Sequence, residues 1–148
     1  MLSVRTYQQQ DQDAVIALWK DCGLLMPWNN PFTDIRSKVE DSPELFFVAL
    51  LDEVLVGTCM AGFDGHRGWV YYMAVEKSHR NKGIARALLK KAENSLVQQG
   101  CAKLELMVRK SNRRVVDTYR ALGFKEEEVS VLSKRLIEHE AYSLEEDT

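Results

Sequence analysis

One stretch of the chain changes its hydrophobic period twice in forty residues, and that limits what the whole can become. Trp69 to Val75 is an apolar, strand-like run. Ile84, Leu88, Ala92 and Leu96 then recur at helical spacing, with Ala85 and Leu89 widening the stripe, while Arg86, Lys90, Lys91 and Asn94 face outward. Gly100 closes that helix. Lys103 to Arg109 returns to alternation, with Leu104, Leu106 and Val108 inward. A strand, a helix and a strand in this order predict a right-handed crossover that sets the two strands parallel. Between the first strand and the helix lies His79-Arg80-Asn81-Lys82-Gly83-Ile84-Ala85. A turn there leaves backbone N–H groups unpaired at the positive end of a helix dipole, which suits a phosphate or pyrophosphate. Gly83 lets a ligand come close to the backbone, and Arg80 and Lys82 add positive charge. The turn is neither a P-loop nor a dinucleotide fingerprint, and basic residues beside a Gly are also ordinary loop chemistry.

The rest of the chain supplies the sheet for that unit. Leu2 to Tyr7 alternates and reads as a first strand. A helix follows with Asp11 as N-cap, Val15, Leu18, Trp19 and Cys22 on one face, and Gly23 at its end. Trp19 reads as core. Leu24 to Pro31 holds two prolines around Trp28, Asn29 and Asn30, which excludes regular structure. Pro31 to Val39 reads as a short helix, with Ile35 and Val39 on one face. Leu45 to Leu51 is apolar throughout, the mark of a strand buried on both faces. Asp52-Glu53 turns it into a second strand, Val54 to Phe63, and Asp64 to Gly68 turns that into Trp69 to Val75. Three strands on short turns make an antiparallel meander. Asn112 starts a further helix as N-cap, and Gly123 ends it. Phe124 to Leu136 reads as a final hairpin or long strand, and 137–148 as an acidic, frayed tail.

Length bounds the answer further. With 148 residues the chain is expected to form a single domain over 1–136, large enough to bury its own core. A net charge of −2 offers no general attraction to nucleic acid or an anionic membrane. No apolar run could span a bilayer, and the N-terminus lacks a signal peptide's pattern. Cys22, Cys59 and Cys101 stand far apart, which fits reduced thiols in a cytoplasmic protein and gives no disulfide frame. Neither the cysteines nor the histidines fall at metal-ligand spacing.

Arg80-x-x-Gly83-x-Ala85 resembles the acyl-CoA pyrophosphate loop of the GNAT N-acetyltransferases. Asn112, Tyr119 and Leu122-Gly123-Phe124 stand where that superfamily carries a second motif, and Met73-Ala74-Val75 resembles its cofactor-binding strand end. The resemblance runs from about Val4 to Leu136. Pro27-Trp28-Asn29-Asn30-Pro31 and Gly62 to Gly68 look like a small bacterial subgroup, the YpeA-type acetyltransferases. The resemblance implies an α/β fold: a central, mostly antiparallel sheet with one splayed parallel pair, flanked by about four helices. It also implies acetyl transfer from acetyl-CoA, as co-substrate and without a metal, to a primary amine through a tetrahedral intermediate. The pantetheine arm would pair with Met73, Ala74 and Val75. The pyrophosphate would rest on Asn81, Lys82, Gly83, Ile84 and Ala85 beside Arg80, with His79 at its border. Tyr119 would protonate the leaving thiolate, an N–H near Val75 would hold the oxyanion, and Asn112 would bind the pantetheine or cap its helix. Trp28, Asn29 and Tyr71 would border the acceptor.

Many relatives carry a Glu on the strand equivalent to Trp69–Val75; here Tyr71 and Tyr72 stand instead. Asp64, His66 and Glu105 are the candidates for a general base, and a His in an Asp-Gly-His turn is equally a solvated turn residue. The acceptor is left open among a metabolite, an antibiotic, a lysine and a peptide N-terminus. An N-terminal acetyltransferase of the ribosomal-protein type and a non-catalytic acyl-CoA sensor are the competing readings. The final strands could pair two copies into a homodimer.

Overall fold

Five strands lie side by side in chain order: β1 (Leu2–Thr6), β2 (Phe46–Leu51), β3 (Val54–Phe63), β4 (Gly68–Val75) and β5 (Leu104–Leu106). The structure is a computed structural model that describes residues 1–138 and Tyr142. The first three pairings are antiparallel and the last, β4 with β5, is parallel. The sheet is thus the expected mixed one, with α3 (Ile84–Gln98) as the crossover between its parallel strands. Among the described residues three more α-helices complete the α/β fold: α1 (Gln12–Asp21), α2 (Pro31–Asp41) and α4 (Arg113–Ala121). No helix among the described residues is long and apolar enough to cross a membrane.

Strand alternation explains why β2 is apolar at nearly every position. Phe46 and Val48 join Val15, Leu18, Trp19 and Ile35 in a core under α1 and α2. Phe47 and Ala49 point the other way, into a core with Ile84, Leu88, Leu89, Ala92 and Leu96 of α3. Each large side chain so buried contributes on the order of 2 kcal/mol. Gly57 of β3 sets how closely α3 can lie. A Cβ there would stand 3.1 Å from Ile84 Cγ2, from Leu88 Cδ1 and from the Ala74 carbonyl oxygen. On the other face α2 is pinned by Lys38, which is buried and donates to the Ala61 carbonyl and to Ser42 Oγ at 2.7 Å.

Four local expectations need correction. Asp11 stands at the start of α1, but its side chain caps no amide of that helix. Its carboxylate instead accepts from both terminal guanidinium nitrogens of Arg5, at 2.8 and 2.9 Å, and from the Gln8 amide at 2.8 Å. The cation on β1 outcompetes a helix N–H for that charge. Asn112 precedes α4, yet its side chain makes no capping bond. Lys103 to Arg109 shrinks to the three residues of β5. Phe124 to Leu136 forms no strand: Val129, Val131, Leu132 and Leu136 are exposed there, with no sheet neighbour to pair them. The tail expected over 137–148 lies mostly outside the described residues; Ile137 and Glu138 are exposed.

Candidate functional site

The parallel ladder stops early. Gly68 pairs with Leu104, Trp69 with Glu105 and Val70 with Leu106, and there β5 ends while β4 runs on to Val75. Among the described residues β4 keeps only its β3 neighbour from Tyr71 onward, so its other edge is left unpaired there. An edge of that kind offers N–H and C=O groups to an extended ligand.

Just past the last paired residue β4 bulges. Met60 opposes Tyr71 and Thr58 opposes Ala74, so Cys59 faces two residues, Tyr72 and Met73. Tyr72 sits at φ 50°, a left-handed value that strains a residue with a bulky side chain. It is held there from three directions. Trp19 stacks on its ring at 3.8 Å between centroids. Thr58 Oγ1 donates to its carbonyl at 2.8 Å and in turn accepts from Trp19 Nε1 at 2.9 Å. The Tyr72 hydroxyl donates to Asp34 of α2 at 2.6 Å. Burial, with that bond second, pushes the Tyr72 phenol far up. Trp19 is therefore core, as its spacing suggests, and also the brace of the bulge.

At the carboxyl end of β4 the chain turns through Glu76–Gly83 into α3. Asn81 and Gly83 take left-handed φ values of 64° and 81°. A Cβ on Gly83 would meet nothing within 4 Å, so its constraint is the backbone angle and the open space in front of it. The first helical bond, from the Ala87 amide to the Gly83 carbonyl, is 3.0 Å. The amides of residues 81–86 donate to no group among the described residues. Lys82 and Arg86 are exposed beside them. Arg80 turns away: its Nε donates to the Val75 carbonyl at 3.1 Å and its Nη2 reaches Cys22 Sγ at 3.8 Å. His79 pairs with Glu76. The turn is thus tied to the end of β4 and to α1, leaving Lys82 and the amides to face outward.

Tyr119 in the last turn of α4 packs against Phe124 at 5.5 Å and joins the α3 core with Met73 and Val75. Burial, with the Cys59 thiol beside it, pushes its phenol well up, so it carries its proton at neutral pH. Asn112 is exposed at the other end of α4.

The base candidates fall elsewhere. Asp64 and His66 occupy the exposed turn before β4, at the far end of the strand from the Gly83 turn. A rise of about 3.3 Å per residue puts roughly 20 Å between the two ends. Asp64 Oδ1 accepts from the amides of His66 and Arg67, both at 2.8 Å, and these bonds hold its carboxyl below the usual range. Glu105 is paired with Arg67 at 3.4 Å. Tyr71 is exposed on β4 just ahead of the bulge. Trp28 is half exposed in the loop before α2, and Asn29 Oδ1 accepts from Arg135 at 3.5 Å.

The group that the sequence reading missed near the bulge is Asp34. Pro31, Ile35 and Lys38 are the buried positions of α2, and Asp34 stands three after the first and four before the last. A carboxylate in that stripe was the available signal. Ile35 and Val39 define the apolar face so well without it that it passes as a first-turn acid.

Residues 7–124 match the profile of the acetyltransferase (GNAT) family. An acetyltransferase of Yersinia pestis (strain Pestoides F) is 43% identical over 141 residues, spanning 95% of this chain and all of that one. Among solved structures, AAC(6')-Iy in complex with the bisubstrate analog CoA-S-monomethyl-acetylneamine superposes with a TM-score of 0.77 at 20% identity, over 92% of this chain and 99% of that one. The ribosomal-protein-S18-alanine N-acetyltransferase of Escherichia coli superposes with a TM-score of 0.70 at 21% identity, over 86% and 79%. At such identities the two structures speak for the fold.

Proposed function

The chain belongs to the acetyltransferase (GNAT) family, and on that premise we propose that it transfers acetyl from acetyl-CoA to a primary amine by direct attack through a tetrahedral intermediate. The observation that carries this is the run of undonated amides over residues 81–86, at a helix start, directly beyond the strand whose parallel neighbour has ended. A diphosphate fits those amides and their dipole. An extended pantetheine arm fits the edge of Met73 and Ala74, with the Val75 carbonyl already engaged by Arg80. Lys82 supplies charge at the turn; Arg80 serves by fixing the end of β4.

The thioester then comes to lie near the bulge, between Met73 and Tyr119. Attack by the amine moves charge onto the carbonyl oxygen, which a backbone N–H of the distorted strand can receive. Collapse expels a thiolate. Tyr119, kept protonated by its surroundings, donates to it. The same motifs serve an N-terminal acetyltransferase, and the likeness to the S18-alanine enzyme keeps a peptide N-terminus among the acceptors.

The direct test is free thiol release from acetyl-CoA over a panel of amines, including a lysine peptide, a peptide with a free N-terminus and an aminoglycoside. Turnover with at least one amine is expected. Tight CoA binding with no thiol release over the whole panel would mark the protein as a sensor.

A further inference from the structure

We propose that Asp34 of α2 receives the acceptor as an ammonium ion and takes its proton. This rests on the acetyl-transfer reading above. The bulge presents Tyr72 to the α1–α2 side, while Met73 and Tyr119 belong to the core on the α3 side. The gap past Val70 joins the two sides at that level, where no β5 residue pairs with β4. Asp34 reaches the bulge from α2 and is partly open to solvent.

Its charge is unbalanced. Among the described residues its side-chain partner is one neutral phenol, and no Lys, Arg or His pairs with it. Lys38, the cation one turn further along the same face, is spent on the Ala61 carbonyl and Ser42. The Tyr72 hydroxyl covers Oδ2 and leaves Oδ1 to a ligand. A carboxylate left in an aromatic setting without a cation attracts one. Tyr72 supplies one aromatic surface, and the Phe32–Tyr142 pair, 6.4 Å apart, lies on the same helix side with Tyr142 near enough to the Tyr72 hydroxyl to push it up.

The protons balance as follows. Asp34 takes one proton from the ammonium, and the freed lone pair forms the N–C bond while the carbonyl pair moves onto oxygen. Return of that pair breaks the C–S bond. The sulfur takes a proton from Tyr119, the surplus proton on nitrogen restores the phenol, and Asp34 releases its proton to water.

The test uses CoA-saturated full-length protein and ligand-observed NMR with benzylammonium and n-butylammonium, each against its neutral isostere, benzyl alcohol and n-butanol. The parent is expected to bind the cations and to discriminate against the alcohols. Asp34→Asn still accepts the Tyr72 hydrogen bond, so a merely structural role would leave binding unchanged. We expect it to keep CoA affinity within about twofold, to lose cation binding by tenfold or more, and to lower kcat/KM for any amine turned over by about 100-fold. Equal binding of cation and alcohol by the parent, or parental behaviour of Asp34→Asn, would overturn the assignment and leave acetyl transfer standing. A parent that binds no CoA would overturn both.

Discussion

At the scale of single residues, the site depends on where protons are kept. Tyr119 holds its proton because burial and the Cys59 thiol disfavour the phenolate. The acid role proposed for it then has a clean test. In Tyr119→Phe the ring still packs on Phe124, so fold and CoA affinity should survive while kcat falls about 100-fold or more. Single-turnover kinetics beside CoA titration calorimetry separate the two, and an unchanged kcat would remove Tyr119 from the chemistry. Asp11 illustrates the opposite sign in a residue with no part in the site. Burial would raise its carboxyl, but the Arg5 pair and the Gln8 amide outweigh that and hold it below its ordinary value. Its stabilising effect is therefore complete above the unfolded carboxylate range and is lost as pH falls through the lower folded value. Asp11→Asn should cost about 2 kcal/mol at pH 6. In urea titrations the two curves should begin to approach as pH falls below about 3.9, the unfolded carboxylate value, and meet only once it has passed the lower folded value, where the parent's Asp11 is neutralised as well. Parallel curves down to acid would show that the charge is not what stabilises.

At the scale of elements, what positions the helix start is a missing side chain on a neighbouring strand. Gly57 lets Ile84 and Leu88 come against β3. Ile84 is the first residue of α3, directly after Gly83. In Gly57→Val, side-chain atoms would have to displace both and shift the first turn of α3. We expect a loss of about 1–3 kcal/mol in stability and at least tenfold weaker CoA binding, although Gly57 lies outside the turn. Weak binding at parental stability, or the reverse, would show that helix placement and ligand binding at the Gly83 turn are not coupled. The elements themselves were plain in the chain, because periods of 2 and 3.6 differ and most turns carry Gly, Pro or Asp. The bulge was not. It needs an extra residue in β4 and a left-handed Tyr72, and nothing local in Trp-Val-Tyr-Tyr-Met marks that. Its cause is tertiary: Trp19, Thr58 and Asp34 come from three other elements. The stretch after Phe124 erred the other way, since its scattered Val and Leu residues make a strand only where a neighbour exists to pair with them.

At the scale of the whole molecule, charge is distributed against the average. The chain carries a net charge of −2, yet Lys77, Arg80, Lys82 and Arg86 cluster at the turn beyond β4, with Glu76 the acid engaged there by His79. A ligand with several phosphate charges is drawn to that one end of an otherwise mildly acidic body. Attraction of this kind is screened, with a Debye length of about 10 Å at 0.1 M salt and about 3 Å at 1 M. The amides of residues 81–86, in contrast, act at contact distance and keep their strength in salt. CoA affinity should therefore fall as salt rises from 0.05 to 1 M and then level off, the plateau reporting the amides. Lys82→Gln should flatten the salt dependence and leave the plateau nearly intact. Gly83→Glu should remove the plateau, because a side chain at a φ of 81° strains the turn and projects a negative charge into the space in front of the amides. Binding of CoA at 100 times its dissociation constant adds about 2.7 kcal/mol to stability, so thermal shifts read the whole series. If Gly83→Glu retained the plateau, the helix start would not be where the diphosphate rests, and the free edge of β4 would have to account for the affinity alone.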